Sequence, residues 1–183
     1  IIIFKIEVFP EPFLPKRPYI FPSFKLKLMF SKIFFLETLI SSLKAFVIFS
    51  VFQSRLSKAD NLENHKKVLR HLKDFGLRFK VVEGVYRGES ELSILVPVIN
   101  QVFDYSTVEQ LAHIYDQQCI LFVDSDRNAE LRFMVKSFDA SLNQVKSEKL
   151  GKFIATTKGV ATQCENYTKD GNNYYICDLR HIA

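Results

Sequence analysis

Phe46-Val47-Ile48-Phe49-Ser50-Val51-Phe52 is the stretch on which the fold turns. It is short, continuous and rich in β-branched and aromatic residues, and it reads as a strand buried on both faces. Downstream, Ser57-Lys58-Ala59-Asp60 resembles a capping box with Ser57 as N-cap. The helix it opens runs to about Phe75. Leu62, Leu69, Leu72 and Phe75 line one side, Lys66, Lys67, Arg70 and Lys73 stay wet, and Gly76 supplies the stop. Leu77–Glu83 alternates as a second strand. Gly84–Glu89 reads as a loop, and Leu92–Val98 as a third strand ending near Pro97. Ser106-Thr107-Val108-Glu109 reads as a second capping box, followed by the amphipathic set Val108, Leu111, Ala112 and Tyr115. Cys119–Val123 reads as a fourth strand, Asp124–Asn128 as a turn and Glu130–Val135 as a fifth strand.

The order β-α-β-β-α-β with an added strand predicts an α+β fold. Each helix gives a crossover long enough for parallel pairing, and right-handed crossovers then give a ferredoxin-like sheet. Two helices cover one face. The other face needs cover from the C-terminal part, the N-terminal part or a partner, and a homo-oligomer packed sheet to sheet is the physical expectation. Residues 160–179 read as a C-terminal hairpin turning on Asp170-Gly171. That register sets Cys164 opposite Cys177. A disulfide is geometrically possible, and reduced, half-buried thiols in a cytosolic protein are the favoured reading.

The 183 residues suit one domain with an appended segment, and a composition 48% hydrophobic and 25% charged supports a packed core. Residues 1–45 carry a net +4 of the chain's +5, with five of its six Pro and eight Phe, whereas all six Gly lie beyond position 75. Two compositions therefore meet near residue 45. Residues 1–45 lack a convincing signal-peptide pattern. Ile33–Phe52 approaches the length of a membrane anchor but carries Glu37 and Lys44. The segment reads as a poorly ordered extension, or as translated sequence upstream of a true start at Met29. Function is expected in 46–183, with no membrane partner. Lys25-Leu26-Lys27 is too slight a footprint for nucleic acid.

Residues 46–183 contain no P-loop, G-x-G-x-x-G, H-E-x-x-H or G-x-S-x-G motif. Three Cys without a C-x-x-C pair make structural zinc an unlikely guest, and no metal is expected. His65, His71, His113 and His181 are scattered and read as surface or capping residues. The aromatic signature of an RNA-binding sheet of this topology is missing. What remains is polar residues at element ends: Gln53 and Ser54, Tyr86 and Arg87, Glu89 and Glu91, Asp116 and Gln117. A carboxylate in a loop is usually just solvated, so composition and spacing stop at a small α+β domain.

The order of several short motifs goes further. These are Ser50-Val51-Phe52-Gln53-Ser54-Arg55-Leu56, then Asn61 and His65 through Leu72, then Gly84-Val85-Tyr86-Arg87. Glu91 opens the next strand, Tyr115-Asp116-Gln117-Gln118-Cys119 follows, and Cys164, Gly171 and Tyr174 lie in the tail. Together, over roughly 46–180, they resemble the phage-encoded enzymes that degrade S-adenosylmethionine, long called hydrolases and now regarded as lyases. The sequence departs from that family in having Asp rather than Glu at 116 and a shorter loop between Tyr86 and Glu91.

The resemblance implies a cytoplasmic enzyme of an infected bacterial host. It would need no cofactor, S-adenosylmethionine being the substrate. The substrate's own carboxylate would attack its γ-carbon, releasing 5′-methylthioadenosine and homoserine lactone, and draining the methyl donor would block restriction. It implies Glu91, Asp116 and Tyr86 as catalytic residues and Phe52, Gln53, Ser54, Arg87, Glu89 and Gln117 as substrate-binding residues. Glu91 would hold the α-ammonium or orient the methionine end. Asp116 would bind ribose hydroxyls or face the sulfonium, Tyr86 would stack near the sulfonium or cap the amino-acid end, and main chain at Phe52–Ser54 would meet adenine. The sites would lie between subunits of a homotrimer. The alternatives are direct hydrolysis to homoserine and a non-enzymatic ferredoxin-like binding or oligomerisation module.

Overall fold

Both faces of the strand at Phe46–Ser50 (β1) are buried, and the chain covers the second face by itself. A computed structural model describes residues 42, 44–134 and 147–181, all within a unit spanning Lys32–Ala183. The readings of residues 1–41 and of Val135 lie outside the described residues. After β1 come α1 (Lys58–Asp74), β2 (Lys80–Tyr86), β3 (Glu89–Pro97), α2 (Gln101–Ile114), β4 (Cys119–Val123) and β5 (Asn128–Phe133). The chain continues through β6 (Ser147–Thr156), the short α3 (Lys158–Ala161), β7 (Tyr167–Asp170), β8 (Asn173–Asp178) and a final 3-10 turn, Leu179–His181. Among the described residues no helix is long and apolar enough to cross a membrane.

The strands close into an eight-stranded barrel in the order β1-β3-β2-β7-β8-β6-β5-β4. Every pairing is antiparallel. The expected ferredoxin-like α+β sheet with parallel crossovers is therefore wrong. The parallel pairing expected across α1 is absent, because β3 lies between β1 and β2, but what overturns the ferredoxin-like sheet is closure. The sheet does not stop at two free edges either. Strands β5 to β8 extend it until β7 meets β2, which removes the edges altogether.

Period-2 alternation divides the core in two. Phe46 and Ile48 point into the barrel, where they meet Val82, Leu95, Val123, Ala129, Phe153 and Tyr175. Phe46 meets Phe153 edge to face at 5.4 Å, and Phe153 stacks on Tyr175 at 5.5 Å. Val47, Phe49 and Val51 point outward beneath Val68 and Leu72 of α1 and Val108, Leu111 and Ala112 of α2. The face that seemed to need a partner is thus buried by the far wall of the same barrel. The sheet-to-sheet oligomer loses its physical motive.

Several local readings move. The turn of the first hairpin is Arg87-Gly88, both left-handed (φ 52° and 80°), and not a loop over Gly84–Glu89. Asn100, not Ser106, caps α2: its side chain accepts from Phe103 N at 3.2 Å, while Asp104 reaches back to Ile99 N and Asn100 N at 2.7 and 2.8 Å. Ser57 caps α1 as expected, but the helix buries Asn61, His65, Val68 and Leu72 and leaves Phe75 half exposed. His65 is therefore a core residue rather than a surface one. In the C-terminal hairpin Asp170 pairs with Asn173, so the turn is Gly171-Asn172. Cys177 then lies opposite Phe153, Cys164 precedes β7, and all three cysteines are free. Asp170 is buried and takes Lys80 Nζ at 2.6 Å, which pins the closing seam together with Lys169 Nζ to Glu83 Oε2 at 2.7 Å.

Strand β6 carries a bulge opposite Ala129/Glu130, and Gly151 beside it is left-handed at φ 80°. A Cβ there would sit 2.7 Å from the carbonyl carbon of Asp178. Gly151→Ala should lower the unfolding free energy by about 2 kcal/mol or more. Urea unfolding should show this as a lower midpoint at unchanged slope.

Candidate active site

One end of the barrel gathers most of the polar residues singled out in the sequence. Strand β1 ends there because Ser50 turns its hydroxyl onto the backbone, donating to Leu92 O at 3.1 Å and accepting from Phe52 N at 3.1 Å. Ser50 pairs with Ser93 in the register of β1 and β3. Glu91, two residues before Ser93, is within hydrogen-bonding reach of the same Ser50 hydroxyl. The same alternation puts Glu91 on the inward face of β3, across from Gly84. Any side chain at Gly84 would collide with the Ser93 hydroxyl and touch Glu91 Cγ, so the glycine leaves room for the carboxylate.

Glu91 is half-buried. Burial pushes its carboxyl above the ordinary value, the Ser50 hydroxyl partly offsets this, and repulsion from Glu89 adds to it. The Cys119 thiol, first in β4, is pushed up by burial and then by the negative charge of Glu91. Glu91 is thus an incompletely hydrated anion at the rim of an apolar barrel. It is the kind of group a cation stabilises.

Beside it the segment after β1 is bound to the end of α2. Gln53 Nε2 donates to Tyr115 O at 2.6 Å, and Gln117 Nε2 donates to Tyr115 O at 3.3 Å and to Phe52 O at 3.5 Å. Asn61 of α1 brackets Gln53, accepting from its N–H at 2.8 Å and donating to its carbonyl at 3.0 Å. That grip turns the polar Asn61 inward and explains why α1 presents a different face from the one its leucines suggest. His65, one turn on, is buried edge-on to Phe52 at 6.1 Å, with neither ring nitrogen hydrogen-bonded, and burial lowers its pKa.

Asp116 sits just past α2 with φ 56°, a left-handed conformation usually left to glycine. Such strain in a non-glycine residue is characteristic of functional positions. Its Oδ2 accepts from Arg55 Nη2 at 2.6 Å, and Arg55 Nε in turn donates to Gln53 Oε1 at 2.8 Å.

The structure therefore brings together Phe52, Gln53, Asp116 and Gln117, with Glu91 adjoining them through the Ser50 hydroxyl, which also accepts from Phe52 N. Tyr86, Arg87 and Glu89 lie farther out, on the tip of the β2–β3 hairpin. There Tyr86 pairs with Glu89 and stands half exposed under the Arg87 guanidinium at 5.2 Å. The tip is held by Arg87 N to Asn166 Oδ1 at 3.0 Å and Gly88 N to Glu165 O at 3.1 Å. A shallow depression of about 520 Å³ there is lined by Arg87, Gly88 and Thr162–Glu165 and does not reach Glu91 or Asp116. Ser54 is exposed in the turn after β1. Arg55, Asn61, Ser50 and Cys119 were not singled out as site residues. Continuing the register of β1 and β4 past Ile48 sets Ser50 opposite Cys119.

Among the described residues no group of three His, Cys, Asp or Glu side chains is placed to hold a metal. Comparison with curated proteins gives no match. The model of the S-adenosylmethionine lyase family matches residues 47–178, from β1 through β8 and across the whole of this barrel end, and the chain belongs to that family.

Proposed function

We propose that the protein degrades S-adenosylmethionine at this barrel end by letting the substrate's carboxylate displace its own sulfur. A carboxylate oxygen bonds to the γ-carbon as the γ-carbon–sulfur bond breaks, and the bonding pair passes to sulfur. The sulfonium becomes the neutral thioether of 5′-methylthioadenosine, and the remainder closes as homoserine lactone. No proton moves and no water is consumed in that step. The substrate is transformed rather than used as a cofactor.

Such a reaction asks the protein for orientation more than for acid–base chemistry. Folding the methionine chain into in-line geometry is an entropic contribution of several kcal/mol, roughly 7–11 at best. The half-buried Glu91 carboxylate is the observation that carries the reading. It is placed to take the α-ammonium, whose charge persists through the reaction, so its attraction does not resist the loss of the sulfonium. Main chain at Phe52–Ser54 takes the adenine edge. Tyr86 and Glu89, on the projecting hairpin, fit a site shared between the subunits of a trimer. That assembly, the draining of a bacterial host's methyl donor against restriction, and action in its cytoplasm follow from the phage enzymes the sequence resembles.

Full-length protein incubated with S-adenosylmethionine should yield 5′-methylthioadenosine by chromatography, with lactone appearing before homoserine. In ¹⁸O-water the label should enter the carboxyl group on lactone opening. Label in the homoserine hydroxyl would mean direct attack by water. No methylthioadenosine at micromolar enzyme would remove the reading.

Glu91→Gln should lower kcat/KM by about 100-fold or more. Its melting temperature should equal or exceed that of the wild type. A carboxyl whose pKa is raised by folding costs stability above its folded pKa and none below its unfolded one, and the amide removes that cost. In the wild type, kcat/KM should fall as pH drops through the raised Glu91 pKa, at higher pH than for an exposed glutamate.

A further inference from the structure

We propose that Arg55 decides what Asp116 binds: held by the guanidinium, the Asp116 carboxylate becomes part of a net-neutral edge that docks the vicinal hydroxyls of a nucleoside, leaving the positive charge of the substrate to Glu91. The inference rests on the reading of this barrel end as an S-adenosylmethionine site. It chooses between the two roles open to Asp116.

The geometry is specific. Arg55 spans two partners, donating from Nη2 to Asp116 Oδ2 at 2.6 Å and from Nε to Gln53 Oε1 at 2.8 Å. Gln53 is itself fixed on Tyr115 O at 2.6 Å, the residue before Asp116. The guanidinium is thus oriented by the same segment that carries the carboxylate. Its side chain is 67% exposed and that of Asp116 28% exposed, so the pair reaches solvent. A guanidinium has five N–H donors, more than these two bonds use. A diol complements such a pair, since one hydroxyl donates to the carboxylate while the other accepts from the guanidinium. A sulfonium has no N–H or O–H to offer, and an already neutralised carboxylate attracts it weakly.

Charge bookkeeping favours the same division. The substrate carries a sulfonium, an ammonium and a carboxylate, net +1. Glu91 with the Arg55–Asp116 pair presents net −1. After cleavage the neutral thioether remains with the nucleoside and the ammonium with the lactone. Each fragment leaves a half-site matched to it before and after the reaction. A bare Asp116 beside the sulfonium would instead stabilise a charge that the reaction destroys, and would slow it.

The test is calorimetric titration of the full-length protein with 5′-methylthioadenosine and with its 2′,3′-dideoxy counterpart, with S-adenosylmethionine turnover measured in parallel. Wild type should prefer the ribonucleoside by about tenfold or more. The preference should shrink to about twofold or less in Arg55→Met, Arg55→Gln and Asp116→Asn, with no further loss in the Arg55→Met/Asp116→Asn double variant. Arg55→Lys, which restores the charge, should recover part of it. Inhibition by homoserine lactone should be unchanged by the Arg55 variants, because that fragment belongs to Glu91. Arg55 is exposed, so the variants should fold, and circular-dichroism melting checks this. A wild type that cleaves S-adenosylmethionine yet binds both nucleosides equally overturns this inference alone, as does an Arg55→Met or Arg55→Gln protein that keeps the full preference. A wild type without turnover overturns the proposed function, and this inference with it.

Discussion

Three aromatic rings in the barrel interior, Phe46 on β1, Phe153 on β6 and Tyr175 on β8, hold the two walls of the molecule together. Burying a side chain of this kind is worth about 1.5–3 kcal/mol, and each favourable ring pair adds about 0.5–1.5 kcal/mol. The constraint behind them is that β1 has no polar face. Its outward residues are covered by α1 and α2, and its inward residues need an opposite wall. An open sheet leaves Phe46 and Ile48 in water or demands a partner. A closed sheet satisfies them within one chain, and this chain supplies the extra strands to close it.

Closure also explains where polar chemistry gathers. The middle of the interior is filled with side chains, so polar side chains on inward positions are left to the barrel's end, where β1 stops and β3 runs on. There the ladder places a glutamate on an inward-facing position beyond the last apolar layer. Two features there are locally unfavourable: a half-buried carboxylate, and an aspartate forced into left-handed backbone. Both cost stability, and the packed barrel beneath can bear that cost. The hairpin tip shares the backbone cost, since Arg87 is left-handed too, but its exposed Tyr86 and Arg87 carry no comparable desolvation.

Elements with strong local signals were legible in the sequence. Ser57 capped the helix expected of it, Cys119–Val123 formed the strand its residues describe, and β1 proved buried on both faces. The architecture was not legible, because it depends on β6. Ser147–Thr156 begins with polar, exposed residues and is broken by a bulge and a left-handed glycine, so it has no clean two-residue period. Without it the sheet has an open edge, and a four-stranded α+β arrangement looks sufficient. The face of α1 was misread for a related reason. Leu62 and Leu69 advertise one side, yet Asn61 is drawn inward by paired hydrogen bonds to Gln53, a tertiary contact that no helical period encodes. Gln53, Glu91, Asp116 and Gln117 stood out as polar residues at element ends, and family likeness suggested roles for them; their mutual placement came only with the fold. Arg55 stood within the quoted motif without a role, because its bond to Asp116 spans 61 residues of sequence and no local pattern encodes it.

The two departures from the family pattern now have a physical setting. An aspartate at 116 reaches one methylene less than a glutamate, and here it is met by an arginine that extends its hydrogen-bonding edge outward. The shorter span from Tyr86 to Glu91 is a two-residue turn whose residues both adopt the left-handed backbone that a tight hairpin requires, and its tip is tied to Glu165 and Asn166. The hairpin is braced against the loop before β7 rather than left to swing. The tip that carries Tyr86 is thereby held in place beside the loop before β7, tied by main chain to main chain and by main chain to side chain.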